Sequence, residues 1–273
     1  MLKDITLGQY FPGNSFFHRL DPRSKIISAL LYIIIIFLCK NVWSFVFVIL
    51  VTAAIIFISG IPLKLILKGL KPLIFIIVFT AVVNIFWTKG ETPLIQWRFI
   101  NIYAEGIMYA VLMVVRVVSL LAGTSVILTY TTSPIALTDG LERLLAPLKV
   151  IKLPVHEFSM MMTIALRFIP TLIEETDKIM NAQKARGVDF SKGNIKQRAN
   201  ALIPVLIPLF ISAFRRADDL ATAMECRCYR GGEGRTRMKE LRLCASDWLG
   251  MMLFVVMGAS VILINIFIPG FSI

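Results

Sequence analysis

The segment from Ala223 to Thr236, AMECRCYRGGEGRT, sets two cysteines, three arginines and three glycines side by side. These are the materials of a metal or redox centre, of a phosphate-binding loop, or of a projection that docks on another protein. Each chemistry demands its own spacing. Cys226 and Cys228 are two residues apart, which on a helix turns them roughly 200° from one another, too far to share an ion unless the helix has ended. The other thiols, Cys39 and Cys244, and the two histidines, His18 and His156, lie far away in the chain, which disfavours a structural zinc set. The glycines lack the spacing of a nucleotide-binding loop, GxxxxGK followed by Ser or Thr, and are expected to end a helix. The arginines remain. Arg227 stands between Cys226 and Cys228 as Arg186 stands between Ala185 and Gly187, a long planar donor between small neighbours. Such a fork grips carboxylates or carbonyls. A lone cation at a helix C-terminus needs no partner, since the dipole alone favours it by about 0.3–1 kcal/mol. Two at matched helix ends point to docking.

Catalytic constellations are missing from the pattern: neither GxSxG nor HExxH occurs. The acidic pairs Glu174–Glu175 and Asp218–Asp219 adjoin basic residues and read as solvated helix faces. Arg116 lies within an apolar run, which is either functional or the mark of a side chain satisfied by carbonyls or by a polar residue such as Asn84.

The elements that must position these residues are set by composition. Of 273 residues, 57% are apolar and 17% charged, against about 45–50% and 25% in soluble domains. Five runs approach the length of about 20 residues that crosses a bilayer: Ile26 to Cys39, Val42 to Ser59, Pro72 to Trp87, Gly106 to Tyr130 and Cys244 to Ile268. The polar and aromatic lead before the first run carries no cleavable signal pattern, so the N-terminus is expected in the cytoplasm and the C-terminus outside. That orientation leaves only Lys40, Lys89 and Arg98 outside, with Arg116 inside a span; the other 25 of 29 Lys and Arg lie on the cytoplasmic side. The net charge of +12 is then the signature of oriented spans rather than of nucleic-acid binding. The expected fold is all-α and polytopic, organised as residues 1–132 (lead and four spans), 133–243 (a cytoplasmic domain) and 244–273 (the last span).

The middle segment carries 18 Lys and Arg against 12 Asp and Glu. Thr138 or Asp139 is the expected cap of a short helix ending before Pro147. Helical periodicity then runs from Val155 to Arg186 and again from about Gln197 to Tyr229, interrupted by Pro170, Pro204 and Pro208. A shift of 41 residues sets Asp177 on Asp218, Ala182 on Ala223 and Arg186 on Arg227, a weak internal repeat at two helix ends. Short apolar stretches bounded by charge, such as those ending in IEETDK and FRRADD, are expected against the membrane face rather than across it. Thiols on the cytoplasmic side stay reduced, so a disulfide between Cys226 and Cys228 is disfavoured.

GQYFPGNSFFHRLDPRSK, RFIPTLIEETDKIMNAQKARG and AMECRCYRGGEGRT together resemble the transmembrane coupling subunit, or T component, of energy-coupling factor transporters (the EcfT/CbiQ family), over essentially the whole chain. The resemblance implies that two Ala-Arg-Gly-like motifs end two coupling helices and dock two ABC ATPase subunits. In this chain those motifs are Ala185, Arg186 and Gly187, and Cys226, Arg227 and Cys228. The second departs from the family pattern, with cysteines where alanine and glycine are typical. That departure questions any role needing glycine's backbone freedom at 228, which Gly231 or Gly232 would have to take over. The resemblance further implies a separate small membrane subunit that captures a vitamin or metal ion, contacted here by Phe158, Met161, Met162, Leu206 and Phe210. No cofactor is expected in the chain itself, since the ATPases bind ATP and magnesium. YRGGEGRT is closer to the type of module shared among several substrate-binding subunits. Two rival readings stay open: a membrane-embedded enzyme using Arg116, His156 and Glu157, and a self-sufficient channel or carrier.

Overall fold

The computed structural model describes residues 10–88, 93–97, 100–151, 154–190, 194–232, 241 and 243–268. Residues 233–236 of the AMECRCYRGGEGRT segment lie outside the described set. The chain forms two compact units, one of residues 8–143 with 241–273 and one built on residues 144–240.

The first unit holds the apolar helices: α1 (Phe16–Arg19), α2 (Pro22–Leu38), α3 (Val42–Ser59), α4 (Leu63–Leu70), α5 (Ile74–Trp87), α6 (Ala104–Thr124), most of α7 (Pro134–Leu145) and, where the chain returns, α10 (Ala245–Phe267). Between them α8 (Val155–Ala185) and α9 (Ile195–Cys226) belong to the second unit. The described residues are overwhelmingly helical, as an all-α polytopic fold requires. Sequence periodicity did not foresee the short antiparallel hairpin of β1 (Pro93–Trp97) and β2 (Ile100–Tyr103) that joins α5 to α6.

Among the described residues, five helical stretches are long and apolar enough to cross a membrane: Val42–Ser59, Leu63–Trp87, Ala104–Tyr130, Lys196–Cys226 and Ala245–Phe267. Four correspond to runs read from sequence. The third run, short by itself, is completed by α4 and a 3₁₀ turn over Lys71–Leu73, so the segment carrying Lys64, Lys68 and Lys71 is helical and continuous with the span. The first run forms α2, whose 17 residues lie at the short end of the range for a crossing helix, while α9 qualifies by length and composition.

Local chemistry sets the helix ends. Proline at the first position of α2 needs no N–H partner, and the Asp21 carboxylate accepts from the Arg23 backbone N–H at 2.9 Å. At α7 the cap is Ser133 rather than Thr138 or Asp139. Its hydroxyl oxygen accepts from Ala136 N–H at 3.3 Å, whereas the Thr138 hydroxyl donates back to the Ile135 carbonyl inside the helix. Proline at 134 explains the earlier start, because its fixed φ suits a first turn.

The core of this unit centres on Tyr32, Phe45, Val48, Val126, Ile127, Tyr130, Phe254 and Val261, each buried. Tyr32 and Phe254 meet edge to face at 6.2 Å. The Tyr32 hydroxyl lies 2.7 Å from that of Thr52 and donates to the Ser119 carbonyl at 2.9 Å. Its ring covers Gly123 so closely that a Cβ there would collide with it. After Gly123 the helix widens into π-helical turns over Ser125–Tyr130, a form that is rare outside constrained sites.

Two buried charged side chains sit in answered sets. Asp247, 2% exposed, accepts from the Asp21 N–H at 2.6 Å and the Cys244 N–H at 2.7 Å, tying the start of α2 to the start of α10. Lys25, also 2% exposed, donates to the Thr131 carbonyl at 2.9 Å and the His18 carbonyl at 3.3 Å. Removing one member of such a set strands the others. Asp247→Ala is therefore expected to cost on the order of 3 kcal/mol and to lower the melting temperature of the detergent-purified chain, while Asp247→Asn, which keeps an acceptor oxygen, falls between; an unchanged melting temperature for Asp247→Ala would refute this assignment.

Candidate docking site

The second unit is built on α8 and α9, of 31 and 32 residues, each about 47 Å long at 1.5 Å per residue. Asn194 starts α9 with a capping box: its side chain accepts from the third turn position while its own N–H donates to Gln197 Oε1 at 3.0 Å. Both helices continue through their prolines. Pro208 has no N–H for the Pro204 carbonyl four residues back, and Gln183 of α8 reaches that carbonyl with Nε2 at 3.4 Å.

The cross-contacts fix an antiparallel register. Gln183 meets Pro204, and Arg216 pairs with Glu175 at 2.6 Å. Further along, Ile164 and Phe168 share a cavity of about 240 Å³ with Leu220, Ala221 and Met224. Ala213, Ala217 and Ala221 open that cavity because they stand one turn apart on α9, and Arg216 is its one charged lining residue. The Ser212 hydroxyl and then the Arg216 guanidinium hold Glu175 below the ordinary carboxylate range. A carboxylate so depressed stabilises the folded form above its unfolded pKa and loses that contribution as pH falls through its folded value. The contact is thus complete at neutral pH. Glu175 is a helix-to-helix ligand, not only part of a solvated face.

Each helix ends on one of the two arginine motifs, and all six motif residues are exposed. Ala185 closes α8 and Arg186 is its cap residue, at φ −82° and ψ 4°. Cys226 closes α9 and Arg227 is its cap residue, at φ −91° and ψ 13°. The next residue is left-handed in both: Gly187 at φ 92° and Cys228 at φ 55°. Hydrogen bonds repeat as well. Gly187 N–H donates to the Lys184 carbonyl and Val188 N–H to that of Gln183; Cys228 N–H donates to Glu225 and Tyr229 N–H to Met224. Both are Schellman ends, related by the 41-residue shift.

This geometry corrects two sequence expectations. The helix stops at Cys226, before the glycines, and Cys228 itself adopts the conformation that Gly187 adopts in the first motif; the freedom expected of Gly231 or Gly232 is not what ends α9. Gly231 is left-handed too, at φ 87°, but in the following turn. Gly232 serves close packing, since a Cβ there would lie 2.5 Å from His156 Cδ2 at the start of α8. The antiparallel register was the feature sequence could not give. It puts the two arginines at opposite ends of the pair, roughly 35 Å apart along it by helix rise.

Phe158, Met161 and Met162 on α8 and Leu206 and Phe210 on α9 are 40–62% exposed. Arg116 belongs to the other unit. Its Nη2 donates to the Cys39 carbonyl at the end of α2 at 2.8 Å, and its guanidinium lies 5.2 Å from the Phe45 ring centroid, while Asn84 is turned to the Thr80 carbonyl. His156 and Glu157 open α8. Among the described residues, no group of three or more His, Cys, Asp or Glu gathers as a metal site.

A left-handed residue with a Cβ costs about 1–2 kcal/mol. Gly187→Ala, which meets no neighbouring atom, should fray the end of α8 by that amount, and Cys228→Gly should firm the end of α9. Amide exchange at Val188 and Tyr229 reads both; slower exchange at Val188 in Gly187→Ala would refute the argument.

Residues 13–238 match the family model for the cobalt transport protein CbiQ. The chain is 58% identical to a protein of Ruminiclostridium cellulolyticum over 97% of its own length and 98% of that protein's, and 46% identical to one of Bacillus subtilis over 95% and 97%. Both relatives are named energy-coupling factor transporter transmembrane protein EcfT. With two matched arginine-capped helix ends in one unit and a polytopic set of apolar helices in the other, this chain belongs to the CbiQ/EcfT family of transporter transmembrane components.

Proposed function

We propose that the chain is the coupling subunit of an energy-coupling factor importer, docking two ABC ATPase subunits through Arg186 and Arg227 and passing their movement to a separate small membrane subunit that holds a vitamin or metal ion. The observation that carries this reading is the pair of equivalent tips, with the same cap geometry and the same hydrogen bonds, at opposite ends of one antiparallel pair. Tips roughly 35 Å apart cannot enter one small site together; they suit two grooves on two subunits. Each offers an exposed guanidinium beside small residues, able to donate to carboxylates or to the carbonyls of a groove.

The chain carries no nucleotide-binding loop of its own, so ATP and magnesium belong to the partners and this subunit does no bond-making chemistry. ATPase closure would move the tips, and α8 and α9, long and joined by the Glu175–Arg216 and Gln183–Pro204 contacts, would carry that movement as a rigid pair. In this reading the arginine tips face the cytoplasm, as does the N-terminus. The apolar part of α9, Ala201 to Phe214, measures only about 21 Å, short of hydrocarbon about 30 Å thick, which favours a place at the membrane face. The exposed Phe158, Met161, Met162, Leu206 and Phe210 would meet the substrate-binding subunit, and flexible methionines suit a module shared by several such subunits.

The enzyme reading loses ground, because the Arg116 guanidinium is engaged with the Cys39 carbonyl and the Phe45 ring. A self-sufficient carrier would need an intramembrane polar path, and the buried charges Asp247 and Lys25 are committed to backbone partners.

Purification of the tagged chain from its native membrane in mild detergent should recover ABC ATPases and a small membrane protein. The Arg186→Glu/Arg227→Glu variant should insert normally, lose the ATPases and abolish uptake of the ligand found on that small protein. ATPases retained at wild-type levels by the double variant would overturn the docking reading.

A further inference from the structure

The second unit is inserted in the first, so the chain leaves the first unit after Arg143 and returns at Leu241. Those two points are bonded to each other. Arg143 Nη1 donates to the Leu241 carbonyl at 2.9 Å, and Arg23 Nη2 donates to the same oxygen at 2.7 Å. One carbonyl thus uses both lone pairs on two guanidinium groups.

The fork is itself held. Arg23 makes a two-point pair with Asp21, Nε to Oδ1 at 3.2 Å and Nη2 to Oδ2 at 3.1 Å. Asp21 is fixed in turn by its backbone bond to Asp247, the N3 residue of α10. Beneath the fork, α7 and the start of α2 touch at Gly140, where a Cβ would stand 2.9 Å from Pro22 Cβ and 3.2 Å from the Pro22 carbonyl carbon. The end of α7 and the start of α2 both donate to this carbonyl of the returning chain, and the start of α10 is tied in through Asp247 and Asp21.

We propose that Arg143 and Arg23 are positioning residues that join the outgoing and returning connections into a single base, so that movement of the inserted unit reaches α2, α7 and α10 together. Without the fork each connection would move as a separate tether, and displacement of the inserted unit would be taken up by the two chains sliding past each other. Neither arginine touches a substrate or a nucleotide in this role. It is distinct from the docking role of Arg186 and Arg227 and holds whether or not ATPases bind those tips.

The test uses the full-length chain alone in lipid nanodiscs. Spin labels sit on Phe214→Cys in the inserted unit and Trp248→Cys in the first, both exposed positions, with Cys226, Cys228 and Cys244 changed to Ser. Pulsed electron-spin measurements give the distribution of label-to-label distances, and the melting temperature is read in parallel. Arg143→Met should broaden the distribution at least twofold relative to the parent, and Arg143→Lys, which keeps a donor for the Leu241 carbonyl, should bring the width back toward the parent. Arg23→Met, which leaves Arg143 in place, should broaden it by a smaller factor. A width unchanged in Arg143→Met overturns the proposal, and so does a lower melting temperature with the width unchanged, which would make the fork merely a source of stability. Equal broadening in Arg143→Met and Arg143→Lys also overturns it, because the hydrogen bond would then not be the agent.

Discussion

A helix leaves its last carbonyls without partners, and in a membrane there is no water to take them up. Most of the specific polar chemistry of this chain answers that constraint. The end of α2 is met by Arg116 on the Cys39 carbonyl and by the Asn265 amide on the Leu38 carbonyl. The end of the π-helical stretch after α6 is met by Lys25 on the Thr131 carbonyl and by the Phe11 N–H on that of Tyr130. Arg116, which looks like an isolated functional charge in the sequence, is in the fold the partner of such an acceptor.

The exposed helix ends solve the same problem differently. At α8 and α9 the backbone turns left-handed and bonds its own carbonyls, which leaves the cap side chain with no structural duty. Arg186 and Arg227 are therefore available where Arg116 is not. This contrast distinguishes the arginines on physical grounds: the guanidinium is free where the backbone satisfies itself, and engaged where it cannot.

Much of this was legible in the sequence, because a bilayer and a helix each impose a strong period. Val42 to Ser59 was read to the residue, and the ends of both long helices fell within a few residues, since Arg186 and Arg227 mark them. What stayed hidden depended on partners distant in the chain. Residues 63–70 fall outside the five apolar runs because their lysines mask an amphipathic turn whose buried face is Ile66. Cysteine at 228 gave no sign of a left-handed backbone, since only glycine and asparagine advertise one. Pairing of Asp247 with the start of α2 spans 226 residues, and no local pattern encodes it. The 41-residue repeat was faint in residue identity yet plain in backbone angles, because a cap is a conformation that several sequences can reach.

Two antiparallel helices with equivalent ends are related by a local two-fold axis passing between them. A single, asymmetric chain thereby acquires a symmetric element, and any pair of partner subunits related by a dyad would meet it with like surfaces on both sides. The match is imperfect: the left-handed position is glycine on one side and cysteine on the other, and Ala185 and Val188 stand opposite Cys226 and Tyr229. Those differences give an otherwise twofold contact a polarity, so the two sides need not bind, or let go, with equal ease.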